Sequence, residues 1–146
     1  MTNTTLIQSL NQQLANWNVL YTKLHNYHWY VTGADFFTLH AKFEEFYDEA
    51  ATYIDEIAER ILTIEGQPIA SLADYLKHTS IEEATNKETP KDMVGAIAED
   101  FFKVIHESKL LIEQAEDAND QPTADMFIGI KNSLEKHVWM LKAYLK

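Results

Sequence analysis

The sequence predicts an all-α fold: four long helices in a bundle, with a short helix in the long crossover between the second and the third. Only 4 Gly and 3 Pro occur in 146 residues, so few positions interrupt a helix. Apolar residues recur at spacings of three and four, the period of a helix with one buried face. The length suits one hydrophobic core, so residues 1–146 are expected to form a single domain.

The first helix is predicted to run from about Thr5 to Val31. Its apolar residues follow the helical period and are Leu6, Leu10, Leu14, Trp17, Leu20, Tyr21 and Leu24. The next four residues end this pattern, because Gly33 suits a left-handed residue after a helix and Asp35 suits an N-cap. The first helix is therefore joined to the second by a short turn.

A second helix is predicted from about Phe36 to Glu65, where the sequence Gly66-Gln67-Pro68 stops it. Its apolar stripe consists of Phe43, Phe46, Ala50, Ile54, Ile57 and Ile61. Residues Ser71 to Lys77 predict a short helix within the crossover.

A third helix is predicted from about Pro90 to Ala118, since Thr89 suits its N-cap and proline suits its first turn. After a turn at residues 119–122, the last helix runs to near the C-terminus. Two helices, a long crossover and two more helices fit a four-helix bundle with one crossover connection.

The composition narrows the function. The chain has 12 Lys+Arg against 23 Asp+Glu, a net charge of -11, which favours cations as partners and opposes binding to nucleic acid. Because there is no cysteine, disulfides and thiolate metal sites are excluded. No apolar run reaches the roughly 20 residues that span a bilayer, and MTNTTLIQSL lacks the pattern of a signal peptide. We therefore expect a cytoplasmic protein without a membrane segment.

Histidine and carboxylate side chains fall in register around the first turn. His28 lies near the end of the first helix and His40 near the start of the second, so they can face each other. His40 and Glu44 are four residues apart, as are Asp55 and Glu59, and the four positions span an arc of about 100° on the second helix. Imidazole and carboxylate groups are the ligands that Fe(II), Mn(II) or Zn(II) prefer.

The distance between the pair His40/Glu44 and the pair Asp55/Glu59 leaves two interpretations open. His40 and Asp55 are about 22 Å apart along a straight helix, so one metal centre cannot contact both pairs in one chain. Asp55 and Glu59 either form a solvated face or complete a site on a second chain. An antiparallel pairing about a two-fold axis near Glu49 and Ala50 sets residue 40 opposite 59 and residue 44 opposite 55, which makes two equivalent sites.

The small side chains of Ala50 and Ala51 would let two such helices approach closely. A metal site inside one bundle is not expected, because the pattern Glu-x-x-His that builds such di-iron sites does not occur in the sequence.

These residues resemble the signature of the Dps family, the starvation-induced mini-ferritins. The resemblance rests on residues 23–61, KLHNYHWYVTGADFFTLHAKFEEFYDEAATYIDEIAERI, with a His-Trp pair, FFTLH and DEIAER. It continues through Gly66-Gln67-Pro68 and the terminal KHVWMLKAYL. It implies a ferritin-like bundle, a dodecameric shell, oxidation of Fe(II) by hydrogen peroxide, and storage of ferric mineral as protection against oxidative stress.

The resemblance also assigns residues. It implies that the ferroxidase ligands are His28, His40 and Glu44 of one subunit, with Asp55 and Glu59 of its two-fold mate. Many members have aspartate where Glu44 stands, and the longer side chain can shift the second metal position.

Two further features of this chain match features of the family. Trp29 matches a tryptophan near the iron site, which implies either interception of radicals or packing at the dimer interface. Acidic residues around the last turn resemble those near the iron pores at the three-fold axes; they are Glu116, Asp120 and Asp125.

Two alternatives differ in kind. Some Dps proteins compact DNA through basic tails, but no basic residue precedes Lys23 here, and Lys136, Lys142 and Lys146 predict only a weak basic patch. DNA binding is therefore not expected. The second alternative is a helical bundle that binds no metal and is held together by its interface alone.

Overall fold

The computed structural model describes residues 3–146 and contains five helices. Their bounds are α1 Thr4–Tyr30, α2 Phe36–Thr63, α3 Leu72–His78, α4 Pro90–Asp117 and α5 Gln121–Tyr144. The described residues form no strand. The predicted bundle with a short helix in its crossover is confirmed, and the helix ends lie within two residues of those expected. Among residues 3–146, no helix has the length and apolar character needed to cross a membrane.

The four long helices bury one stripe each. The helix α1 packs along α2, and α4 packs along α5, while α1 also contacts α3 and α4. The bulkiest fully buried side chains come from all four long helices and include Trp17, Tyr27, Phe43, Phe101 and Phe127. On α2 the buried residues form a single stripe, which leaves the opposite side of that helix facing outward.

Both α2 and α4 start at the predicted residue, but only α4 has the expected side-chain cap. Thr89 and Asp92 form a reciprocal capping box before and within the first turn of α4. Asp35 lies at the N-cap position of α2, but its side chain makes no capping hydrogen bond there. Its carboxylate instead accepts a hydrogen bond of 2.7 Å from the hydroxyl of Tyr144, which ties the end of α5 to the turn.

The end of α2 is a left-handed turn built without glycine at the left-handed position. Glu65 has φ 70, the Glu65 N–H donates to the carbonyl of Leu62, and the Gly66 N–H donates to the carbonyl of Ile61. A Cβ at Gly66 would lie 2.5 Å from Cδ1 of Ile7 and 3.0 Å from Cγ2 of Ile61, so a larger residue there would displace these side chains.

Buried polar side chains fix the crossover to the bundle. Asn16 of α1 accepts a hydrogen bond of 2.8 Å from the backbone N–H of Ser80 and donates one of 2.8 Å to Glu107 of α4. Lys23 of α1 lies 2.8 Å from Asp100 and donates to the carbonyl of Glu82. These contacts hold the crossover against α1 and α4, away from the outward side of α2.

Candidate metal centre

His28 and His40 face each other across the turn between α1 and α2. Their rings stack with centroids 3.7 Å apart and planes 13° apart. Nδ1 of His28 lies 2.7 Å from the carbonyl oxygen of His40, and Nδ1 of His40 lies 2.7 Å from the carbonyl oxygen of His28. The sequence prediction that these two histidines meet is confirmed.

These reciprocal contacts fix the chemistry of both rings. A carbonyl oxygen can only accept, so Nδ1 of each ring carries a proton and donates it. In the neutral imidazole, Nε2 then holds a free lone pair, the form in which histidine binds a metal. A hydrogen bond from the other ring nitrogen also fixes ring orientation and raises ligand basicity. His28 is buried, so its orientation is further restricted by packing.

Glu44 lies beside this pair. Its carboxylate oxygen is 3.8 Å from Nε2 of His28, on the side of the ring that carries the free lone pair. The Glu44 side chain is 53% exposed, so it can reorient toward a cation without losing packing. His28, His40 and Glu44 therefore form one group on one chain.

Asp55 and Glu59 stand apart from this group. Both are exposed, and both lie on α2, which is continuous from Phe36 to Thr63. The separation of about 22 Å between His40 and Asp55 therefore holds for the folded chain. Within residues 3–146 of one chain, no three His, Cys, Asp or Glu side chains are arranged to hold a metal ion. The structure thus brings three of the five expected ligands into one region and leaves two on another part of the same helix.

The two alanines at the middle of α2 differ in role from the expectation. Ala50 is fully buried in the core of its own bundle, so it does not face a helix of a second chain. Ala51 is exposed, and it alone of the two provides a small residue on the outward side. One residue step turns the helix by about 100°, which places neighbouring residues on different faces.

Aromatic side chains from both α1 and α2 lie beside the histidine pair. Tyr47 lies edge-on to the ring of His28 with centroids 5.3 Å apart, and it stacks on His25 at 3.7 Å. His25 in turn is 5.2 Å from the ring of Trp29, which is largely exposed. Burial and the nearby carboxylates of Glu44 and Asp48 raise the pKa of the Tyr47 hydroxyl. Trp29 therefore connects to the ligand region through two intervening rings.

A second polar cluster, which the sequence did not predict, lies inside the bundle. Nε2 of His137 on α5 is 2.9 Å from the carboxylate of Glu49 on α2, and the hydroxyl of Tyr53 donates to the same carboxylate. Burial opposes ionisation of Glu49, but these two hydrogen bonds outweigh it and lower the pKa of its carboxyl. The partners are 88 residues apart in sequence, so no local pattern joins them.

Of the three acidic residues near the turn between α4 and α5, Asp120 is engaged by contacts within the chain. Asp120 caps α5 through the backbone N–H of Thr123 and lies 2.8 Å from Arg60. Burial opposes its ionisation, yet the hydrogen bonds from Thr123 and Arg60 lower the pKa of Asp120. Its charge is used within the chain, whereas Glu116 and Asp125 are exposed. The pore assignment of Glu116, Asp120 and Asp125 stays a prediction, and Asp120 is the one whose charge is already paired within the chain.

Comparison with known proteins places the chain among iron-binding helical bundles. A family model described as a ferritin-like domain matches residues 7–146. General stress protein 20U of Bacillus subtilis is 52% identical over 140 residues, covering 96% of this chain and 97% of that protein. DNA protection during starvation protein 2 of Bacillus anthracis is 53% identical over 143 residues, covering 98% of each.

Similar solved structures point to the same family. The Dps protein from Bacillus brevis is 50% identical, covers 100% of both chains and superposes with a TM-score of 0.98. Dps from Staphylococcus aureus is 46% identical with a TM-score of 0.96, covering 100% of this chain and 99% of that one. The Vibrio cholerae Dps protein, 36% identical with a TM-score of 0.94 over 99% of this chain and 97% of its own, is described as a ferritin-like diiron-carboxylate protein.

Proposed function

The chain belongs to the Dps family of ferritin-like proteins, and on that premise we propose that it oxidises Fe(II) at sites shared between two subunits. Hydrogen peroxide is the oxidant in this proposal, and a dodecameric shell stores the ferric product. Membership of this family supports iron storage at a coarse level. The proposal adds the oxidant, the assembly and the residues.

The observation that carries the proposal is the reciprocal hydrogen bonding of His28 and His40. Each Nδ1 donates to the other residue's carbonyl, so both Nε2 atoms are available to a cation beside Glu44. A pair of histidines held only for packing does not require both rings to keep the metal-binding nitrogen free.

The partner subunit supplies the other half of the proposed site. In the antiparallel pairing of two α2 helices, Glu59 of the partner subunit faces His40, and Asp55 of the partner subunit faces Glu44. Two histidines and three carboxylates suit iron, since nitrogen and oxygen donors are the ligands of this ion. The carboxylates offset the charge of two cations held close together.

The proposed reaction balances without a free radical. Two Fe(II) ions give one electron each, and hydrogen peroxide with two protons is reduced to two water molecules. The side chains of this chain bind and position the two iron ions so that both electrons are available to one peroxide. The exposed carboxylates of Glu116 and Asp125 attract cations on their way inward, and the net charge of -11 favours the same direction.

Half-site variants test this proposal. His40→Ala with Glu44→Ala, and separately Asp55→Ala with Glu59→Ala, should each assemble but lose rapid oxidation, because every site lacks half its ligands. The measurement is the absorbance of Fe(III) after anaerobic Fe(II) is mixed with peroxide. The matched control is Glu113→Ala with Asp117→Ala, an exposed carboxylate pair of the same spacing on α4. Oxidation by either half-site variant at the rate of this control would contradict the proposal.

The names of several relatives raise a second function, the protection of DNA. The charges of the chain favour direct binding little, because Asp and Glu outnumber Lys and Arg by 23 to 12 and Lys23 is buried against Asp100. With a net charge of -11, we expect no retardation of duplex DNA in a mobility-shift assay at physiological salt. A chelator must be present, since a divalent cation can bridge acidic protein and phosphate. A shift that persists in chelator would support direct DNA binding.

A further inference from the structure

The outward side of α2 carries a second feature besides the expected ligands. Phe37 is 85% exposed and Leu62 is 60% exposed, although both are large apolar residues. Phe37 lies three residues before His40, and Leu62 lies three residues after Glu59. Each apolar residue therefore stands about one turn beyond one half of the proposed site.

The four residues along this line share one face. At 100° per residue, Phe37, Glu44, Asp55 and Leu62 fall within about 20° of one another on the helix. The buried stripe, which includes Phe43, lies on the opposite side of α2, so this face is not needed for the core of its own chain. A solvated face does not require an exposed phenylalanine and leucine at its two ends.

The register of the proposed dimer pairs these two residues. If His40 faces Glu59 of the partner subunit, then a step of three residues outward on each helix sets Phe37 opposite Leu62 of the partner subunit. The two-fold axis repeats the contact at the other end of the helix pair. The outward face thus has apolar contacts at both ends and ligands between them, with the small Ala51 and the exposed Asp48 near the middle.

The charges on this face explain why the apolar ends are needed. The same register sets Glu44 opposite Asp55 of the partner subunit, twice in each dimer. Two carboxylates that face each other repel unless a cation lies between them. The polar part of the face therefore favours association only when the sites hold a cation, whereas contact between apolar side chains does not depend on metal.

We propose that Phe37 and Leu62 are the apolar clamps of the two-fold interface. Phe37 of one subunit packs on Leu62 of the partner subunit at the outer end of each shared site, and the two contacts hold the pair together when the sites are empty. The occupant of this face is a second copy of the chain. The inference rests on the proposed function, because the register comes from the shared site.

Cross-linking tests the register. The chain has no native cysteine, so Phe37→Cys with Leu62→Cys introduces the only two thiols. Within one chain these positions are about 37 Å apart along α2, beyond the reach of a short bis-maleimide. Across the two-fold axis each thiol meets its partner, and both links join the same two chains. Denaturing gels of the assembled protein should therefore show dimers without a ladder of larger products.

Two controls sharpen the test. Phe37→Cys alone should give little dimer, since the two copies of residue 37 lie at opposite ends of the helix pair. Phe37→Cys with Leu110→Cys uses an equally exposed leucine, 60%, on α4, and at least about tenfold less dimer is expected. A ladder from the 37/62 variant, or equal yields from either control, would overturn the inference.

The contribution of Phe37 and Leu62 to the strength of the dimer needs a separate measurement. Phe37→Ala should raise the concentration at which half the dimers dissociate in chelator by at least about tenfold, and replacing the chelator with anaerobic Fe(II) should restore association. Phe102→Ala, at an exposed phenylalanine on α4, is the matched control. If Phe37→Ala dissociates at the same concentration as this control, the clamp is excluded.

The two proposals fail in different ways. If co-assembled half-site variants recover oxidation but the 37/62 cysteines do not cross-link, the shared site is supported and the clamp is contradicted. Cross-linking without any recovery of oxidation would leave the interface standing and remove the shared ferroxidase site.

Discussion

The hydroxyl of Tyr27, the residue before His28, joins α1 to the crossover through Glu88. Tyr27 is fully buried, and its hydroxyl donates a hydrogen bond of 2.7 Å to Glu88. Burial opposes ionisation of Glu88, but hydrogen bonds from Tyr27 and from the backbone and hydroxyl of Thr85 outweigh it and lower the pKa of Glu88 from 4.5 to about 2. The ionised form of Glu88 is therefore favoured in the folded chain.

Replacing Tyr27 by phenylalanine should lower the free energy of unfolding by about 1–2 kcal/mol at pH 7, because packing is kept and one hydrogen bond to a carboxylate is lost. A lowered pKa contributes stability that is complete above pH 4.5 and is lost as the pH falls toward about 2. The difference between the wild type and Tyr27→Phe should shrink across this window in chemical denaturation. The control is Tyr30→Phe at an exposed tyrosine. A difference that stays constant down to pH 2 would contradict this assignment.

At the residue scale, the contacts that could be predicted are those between residues close together in the sequence. His28 and His40 were predicted to meet because a short turn joins their helices, and they do. Their hydrogen bonds to each other's carbonyls depend on the relative rotation of α1 and α2, which spacing does not determine. The pairing of Glu49 with His137 joins two helices that are distant in sequence, so it lay beyond any local pattern.

At the element scale, two glycines allow a matched test of packing against backbone entropy. Gly66→Ala should lower the free energy of unfolding by about 1–3 kcal/mol, because the new Cβ would lie 2.5 Å from Ile7 and 3.0 Å from Ile61. Gly129→Ala lies inside α5 with nothing within 4 Å, so it should raise stability by about 0.5–1 kcal/mol. Denaturation at one fixed protein concentration measures both. Equal shifts of the same sign would contradict this account of Gly66.

The helix ends show where sequence signals succeed and where tertiary contacts override them. Thr89 caps α4 and Gly33 has a positive φ, as the sequence predicted. After α2, however, the left-handed residue is Glu65 rather than the glycine beside it. Gly66 instead leaves room for Ile7, which a Cβ at that position would meet at 2.5 Å. Asp35 has a backbone conformation outside the extended region, and its carboxylate bonds to Tyr144 instead of capping α2.

At the scale of the whole molecule, the distance along α2 decides how the proposed site is built. The fold could be predicted because breakers are few and the apolar period is regular. The types and spacing of the five proposed ligands could be read from the sequence as well. The second chain was inferred from the separation of His40 and Asp55, and the continuous α2 retains that separation. The apolar pair Phe37 and Leu62 could not be recognised beforehand, because only the folded chain shows that both are exposed.

The most direct measurement of the central proposal is complementation between the two half-site variants. His40→Ala with Glu44→Ala in one chain is co-expressed with Asp55→Ala with Glu59→Ala in another, so that shells form from mixed dimers. In a mixed dimer, one site inherits both defects and the other is intact. Random pairing at equal amounts makes about half the dimers mixed, so about a quarter of all sites should be whole. We predict oxidation of Fe(II) by peroxide at roughly a quarter of the wild-type initial rate, in shells that native mass spectrometry shows to contain both chains. Activity that stays at the level of the separate variants in those mixed shells would contradict a site shared between subunits.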